Sequence, residues 1–228
     1  MNLRIPGPTP CPEDVLAAGA AQMMNHRGPE FAQILRRVTD GLNWVFGSPT
    51  DVLSFTTSGT GGLEVAVVNT LSPGDRVLSV SIGSFGDRIK SIARTYGADV
   101  VGYATEWGEA ADATVIAKML DDDPSIKAVL VTHNETSTGV TNPLEVIAKE
   151  VRKRDRLIIV DAVSSMSSIP CPVERWDLDV VVSGSQKGWM VPPGLAFVYM
   201  SERAWAANAE ALMPRFYFDA ATTRESLA

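Results

Sequence analysis

The chain has six lysines, and five of them (Lys90, Lys118, Lys127, Lys149 and Lys153) lie in or beside helix-like stretches, next to other charges or on polar faces. Lys187 is set differently. It follows the strand-like stretch Leu178 to Val182 and the small residues Ser183, Gly184 and Ser185, and it precedes Trp189-Met190-Val191-Pro192-Pro193-Gly194. Among such neighbours an amine loses hydration, its pKa falls from the usual value of about 10.4, and it becomes usable as a nucleophile toward a carbonyl. The alternative is a side chain that carries its ammonium out to water. Asp161 closes the apolar run Leu157-Ile158-Ile159-Val160, where a carboxylate is costly unless an arginine or a cationic ligand meets it. Its alternative role is to cap Ala162-Val163-Ser164.

Two further stretches carry polar chemistry. In Thr57-Ser58-Gly59-Thr60-Gly61-Gly62 small residues allow close backbone approach, and free N–H groups at a helix start attract a phosphate, with the Ser58 and Thr60 hydroxyls as added donors. Glu64 stands where a dinucleotide fingerprint needs its third glycine, and no Gly-Lys-Ser/Thr follows for a P-loop, so a turn that merely packs is the competing reading. Thr132-His133-Asn134-Glu135-Thr136-Ser137-Thr138-Gly139 follows a strand-like run, and its hydroxyls and amide suit recognition of a polar ring or a carboxylate. His133 is either a base or a structural hydrogen-bonding group.

The elements that must position these groups alternate along the chain. Apolar residues at Phe31, Ile34, Leu35, Val38, Leu42, Val45 and Phe46 have helical spacing. Strands are expected over 51–57, 76–82, 98–104, 128–132, 157–161, 178–182 and 195–200, and helices over 62–71, 85–96, 113–120 and 143–154. Continuous Val/Ile/Leu runs indicate strands covered on both faces, so the pattern predicts an α/β fold, a mostly parallel sheet sandwiched by helices. Ligands in such sheets sit at the carboxyl ends of strands, where all four groups fall.

Composition narrows the classes. Apolar residues make up 45% of the 228 and charged residues 21%, as in folded globular chains. A net charge of −7 gives no basic field for nucleic acid or an anionic bilayer, so neither is an expected partner. The longest apolar runs are strand-length, short of the roughly 20 residues a membrane helix needs, and the first residues form no apolar signal segment. Cys11 and Cys171, each followed by proline, and His26 and His133 make no metal-ligand spacing, so reduced thiols, no metal site and a cytoplasmic location are expected.

A phosphate loop, an acid for a pyridinium nitrogen and a lysine for a Schiff base are together what a protein supplies to pyridoxal 5'-phosphate. The sequence resembles the class V aminotransferases of the alanine-glyoxylate and serine-glyoxylate type. The resemblance runs the full length and is carried by Pro6-Gly7-Pro8-Thr9, Thr57 to Gly62, Phe85-Gly86, Thr132 to Gly139, Val160-Asp161, Ser183-Gly184-Ser185-Gln186-Lys187 and Pro192-Pro193-Gly194. It implies the large domain of a fold type I pyridoxal-phosphate enzyme, with 1–25 as an N-terminal arm and first helix and 26–228 as the cofactor-binding domain. Lys187 would be the Schiff-base lysine and Asp161 the partner of the ring nitrogen. Ser58, Gly59, Thr60 and Gln186 would surround the phosphate, Phe85 and Val163 would cover the two ring faces, Thr136 would bond the ring oxygen, and Gly7 would lie near the substrate. It further implies amino transfer between a small amino acid such as alanine or serine and a 2-oxo acid such as glyoxylate or pyruvate, with ping-pong kinetics, in a homodimer. Family members are longer and carry a smaller C-terminal domain with an arginine for the substrate carboxylate; Arg203, Arg215 and Arg224 lie beyond the expected core strands and are not assigned that task. The alternatives are a cysteine desulfurase or lyase on the same scaffold, or a non-catalytic cofactor-binding or assembly fragment. Cysteine desulfurases place histidines where this chain has Gln186 and Phe85.

Overall fold

A computed structural model describes residues 3–227. In chain order the elements are α1 (Glu13–Gly19), α2 (Pro29–Phe46), β1 (Leu53–Thr56), α3 (Gly59–Val68), β2 (Arg76–Ser81), α4 (Ser84–Thr95), β3 (Asp99–Ala104), α5 (Ala113–Asp122), β4 (Ala128–Thr132), β5 (Asn134–Glu135), β6 (Val140–Thr141), α6 (Leu144–Lys153), β7 (Leu157–Asp161), β8 (Val180–Gly184), β9 (Leu195–Met200), α7 (Glu202–Glu210) and α8 (Ala220–Glu225). Seven strands form one sheet in the order β1-β9-β8-β7-β4-β2-β3. The five strands β3, β2, β4, β7 and β8 are mutually parallel; β9 pairs antiparallel with both β8 and β1, so it alone runs against the rest.

The apolar runs become strands because both faces are covered. Every residue of β4 and β8 is buried, and the core divides across the sheet into two clusters. One packs Phe46, Ile116 and Ile147 of α2, α5 and α6 against Val129 and Val160; the other packs Leu63, Val67 and Ile89 of α3 and α4 against Leu130 and Val182. Helix α3 is apolar nearly all round, as a helix enclosed by sheet and neighbours must be. It lies so near the sheet that a Cβ on Gly62 would stand 2.7 Å from Val182 Cγ1 and 2.9 Å from Ala196 Cβ, which is the reason for glycine there.

The expected alternation is present, with differences at particular places. Helix α3 begins at Gly59 rather than Gly62, because Ser58 caps it and its glycines pack against strands instead of forming a free loop. The polar stretch after β4 folds back as the short hairpin β5/β6, and α7 and α8 follow β9, where no element was expected. Both cysteines are free thiols. Among the described residues no helix is long and apolar enough to cross a membrane.

Candidate active site

All of the chemistry-bearing groups sit along one edge of the sheet, at the carboxyl ends of its parallel strands. Asp161 is the last residue of β7 and is 4% exposed. Its Oδ1 accepts the Val163 N–H at 3.0 Å, so the capping role raised by the sequence exists, while the same carboxylate also lines a cavity. Burial pushes its pKa up to about 6 and the nearby Glu135 adds to the rise, against the opposing Val163 N–H, Arg88 and Lys187. A buried acid held by one hydrogen bond is a site prepared for a positive partner.

Lys187 projects from the turn after β8 and is half-buried rather than carried to the surface. Burial lowers its pKa, with Asp161 opposing the shift and Arg88 adding to it. The turn is held from the N-terminal arm: the Thr9 N–H donates to the Gln186 carbonyl at 3.0 Å, and Thr9 Oγ1 donates to the Lys187 carbonyl at 2.8 Å. Gly7 lies against the lysine chain, where a Cβ would stand 2.6 Å from Lys187 Cδ and 2.9 Å from Nζ. A larger residue there would have to displace the amine.

At the start of α3, Ser58 Oγ accepts the Gly61 N–H, while the Gly59 and Thr60 N–H groups have no acceptor among the described residues. Gly59 packs on Val163, to which a Cβ would approach within 2.8 Å. Arg88 reaches across from α4; its Nη1 donates to Thr60 Oγ1 at 3.3 Å and its guanidinium carbon lies 4.7 Å from the centre of the Phe85 ring. Gln186 Oε1 is buried with no partner, an orphaned acceptor beside the same opening.

A cavity of about 250 Å³ brings together Ser58, Gly59, Thr60, Phe85, Asp161, Val163, Gln186 and Lys187, with Leu63 and Arg88. Thr136 lines an adjoining recess with Asn134 and Ser164 that shares Phe85, Asp161, Val163 and Lys187. His133 stands apart: buried, its Nδ1 unpartnered and its pKa pushed down to about 4 by burial, it packs edge-on to Trp176. Arg88 follows Phe85 by three positions and so shares its helix face, but that spacing alone gives it no role; its partner Thr60 lies 28 residues away. Arg203 and Arg215 are engaged with Asp155, Asp179 and Asp219, and Arg224 lies over Trp205. Among the described residues no cluster of His, Cys, Asp and Glu could hold a metal ion.

The family model for class V aminotransferases matches residues 4–215. The chain belongs to that family. It is 45% identical to the soluble hydrogenase 42 kDa subunit of Anabaena cylindrica over 231 aligned positions, covering 100% of this chain and 60% of that protein. It is 40% identical to the L-aspartate–glyoxylate aminotransferase of Paracoccus denitrificans, covering 94% and 56%. The crystal structure of the ureidoglycine–glyoxylate aminotransferase of Bacillus subtilis superposes with a TM-score of 0.94 at 29% identity, covering 98% of this chain and 58% of that one. The chain thus spans somewhat over half the length of the relatives it matches. Class V aminotransferases use pyridoxal phosphate, and the residues present fit it: unpaired helix-start N–H groups and an arginine for the phosphate, a buried acid short of partners and a depressed amine.

Proposed function

We propose that the intact protein transfers an amino group between an amino acid and a 2-oxo acid, with glyoxylate the favoured acceptor and alanine, serine or aspartate the donors to test. The single observation that supports this most is the convergence of Lys187, Asp161 and the start of α3 on one cavity. Pyridoxal phosphate, when bound, supplies the carbonyl that takes up the amino group and the electron sink that stabilises the deprotonated substrate carbon.

The chain's own residues do the rest. The Gly59 and Thr60 N–H groups, Ser58, Thr60 and Gln186 hold the phosphate, with the Arg88 guanidinium adding a positive charge beside Thr60. Phe85 and Val163, which line the cavity, would cover the ring faces, and Thr136 in the adjoining recess would bond the ring oxygen. Asp161 would hold the ring nitrogen protonated, and a cation against its carboxylate would reverse the burial shift that raises its pKa. Lys187 Nζ would anchor the cofactor and would carry the proton between the substrate α carbon and the cofactor, a role that its lowered pKa favours. Gly7 leaves the amine room to move.

A homodimer belongs to the same proposal. Leu16, Met23, Met24, Ile34, Val38 and Trp44, on and between α1 and α2, are large apolar side chains left exposed, and closed two-fold dimers are the commonest assemblies. A cytoplasmic location is supported by the two free thiols. The relative named as a hydrogenase subunit matches the whole chain, but the cavity residues favour amino transfer.

The test is a half-reaction. Loaded with pyridoxal phosphate and given an amino acid alone, the intact protein should form a stoichiometric amount of oxo acid and stop, and added glyoxylate should then yield glycine. Continuous turnover without an acceptor, or sulfide release from cysteine at a comparable rate, would replace transfer by lyase or desulfurase chemistry.

A further inference from the structure

Helix α4 carries Phe85 in its first turn, yet it has no cap of its own: Gly83 stands at the N-cap position and offers no side chain. The orphan donors of a helix start must be met, and here they are met from 50 residues away. Glu135 Oε2 accepts the Phe85 N–H and the Gly86 N–H, each at 3.0 Å. Its Oε1 accepts the Ser137 N–H at 3.1 Å and the Ser137 hydroxyl at 2.6 Å, and Ser137 Oγ in turn accepts the Ser84 N–H at 3.0 Å.

Glu135 is fully buried, so both oxygens are spent inside the protein and none is left for a ligand. Gly83 is what admits it: a Cβ there would stand 2.7 Å from both Glu135 Cγ and Cδ. One carboxylate therefore joins the loop that bears Thr136 to the helix turn that bears Phe85, and these two side chains share a recess with Asp161 and Lys187. A plain cap could have been supplied by serine or aspartate at position 83. Taking the cap from the opposite wall instead fixes the distance between two walls of the cavity.

Resting on the aminotransferase reading above, we propose that Glu135 is a positioning residue, which sets the Phe85 ring at the height of the cofactor ring and holds it in register with Thr136. It touches neither substrate nor cofactor; it acts through Phe85.

Glu135→Gln keeps the shape but turns an NH2 toward N–H donors at one end or the other. In the intact protein, pyridoxal phosphate affinity, read by tryptophan quenching, should fall about fivefold, the stacking contribution of one aromatic ring. In a Phe85→Ala background the same substitution should change affinity by less than about twofold, since effects transmitted through a shared partner do not add. If it weakens binding equally in both backgrounds, Glu135 does not act through Phe85, and the proposal is overturned. Should Glu135→Gln not fold, amide exchange in the unaltered protein reads the same claim: Phe85 and Gly86 should exchange slowly and slow further when the cofactor binds. Exchange at those two amides indifferent to saturating cofactor would overturn it. An unaltered protein that took up no pyridoxal phosphate would overturn the functional reading together with this one, whereas normal uptake with an unaffected Glu135→Gln variant would overturn this one alone.

Discussion

Two buried aspartates stand at opposite ends of two adjacent parallel strands, Asp161 ending β7 and Asp179 immediately before β8. They are 4% and 1% exposed, and burial pushes the pKa of both upward. Their surroundings diverge. Asp179 accepts the Ile158 N–H at 3.0 Å and the Ser201 hydroxyl at 2.8 Å, with Arg152 and Arg203 at 3.6 and 3.7 Å. Asp161 accepts a single N–H from Val163 and otherwise faces the cavity. The same residue type at the same depth is completed by the protein in one place and left incomplete in the other. Incompleteness in a buried acid is thus a mark of a binding edge that burial alone does not give.

The largest effect expected from this contrast is on stability at Asp179. Asp179→Ala removes the acceptor for the buried Ile158 N–H and the Ser201 hydroxyl, while Arg152 and Arg203 keep Asp177 and Asp155, so it should cost about 3–4 kcal/mol, at about 1–3 kcal/mol for each donor left unpaired. Denaturant unfolding of the cofactor-free protein measures it. A cost under about 1 kcal/mol would erase the distinction between the two acids.

Asp161→Asn should do the opposite. In the cofactor-free folded protein the carboxyl holds its proton to about pH 6, while an unfolded chain releases it near 3.8. The wild type therefore keeps this contribution below pH 4 and loses it as pH rises through about 6. Asparagine does not titrate and can still accept the Val163 N–H, so the variant should equal the wild type at pH 4 and exceed it by up to about 3 kcal/mol at pH 7.5, at 1.36 kcal/mol per pKa unit. His133 works in the other direction, its stabilising neutral form being lost as pH falls from 6.5 toward about 4, but it is common to both proteins and drops out of the difference. Turnover of the loaded variant should nevertheless collapse, because the ring nitrogen loses its charge partner. A variant less stable than wild type at pH 7.5 would mean that Asp161 is a structural acid like Asp179.

Much of the architecture was legible in the sequence, for a physical reason. Strands covered on both faces, such as β4, β7 and β8, must be continuous apolar runs, and α2 shows its helical period between Pro29 and the left-handed Gly47. The reversal of β9 left no trace, since a run such as Leu195–Met200 reads alike in either direction. At the site, Lys187, Asp161 and the start of α3 could be singled out because what marks them is local: an apolar strand ending in a charge, and small residues at a helix start. Arg88 and Glu135 could not, because each acquires its meaning from a partner 28 or 50 residues away.

The smallest effect tests whether the incomplete edge really forms one wall with its neighbours. Phe85 is half-buried and lines the cavity beside the Arg88 guanidinium, so its removal opens no sealed core. Phe85→Ala should leave the unfolding midpoint of the cofactor-free protein nearly unchanged and leave the Asp179 site, at the other end of the strands, untouched. It should remove the stacking surface for a pyridine ring, worth about 1 kcal/mol beyond the area buried, and so weaken pyridoxal phosphate binding about fivefold. Phe85→Tyr, which keeps the ring face, should restore most of that affinity, because what the cofactor meets is the face and not the edge. Cofactor titration of the two variants, set beside their melting curves, separates the outcomes. If Phe85→Ala lowers stability as much as it lowers affinity, the ring is core packing, and the unpaired Asp161 carboxylate has no aromatic wall beside it to hold a ring in place.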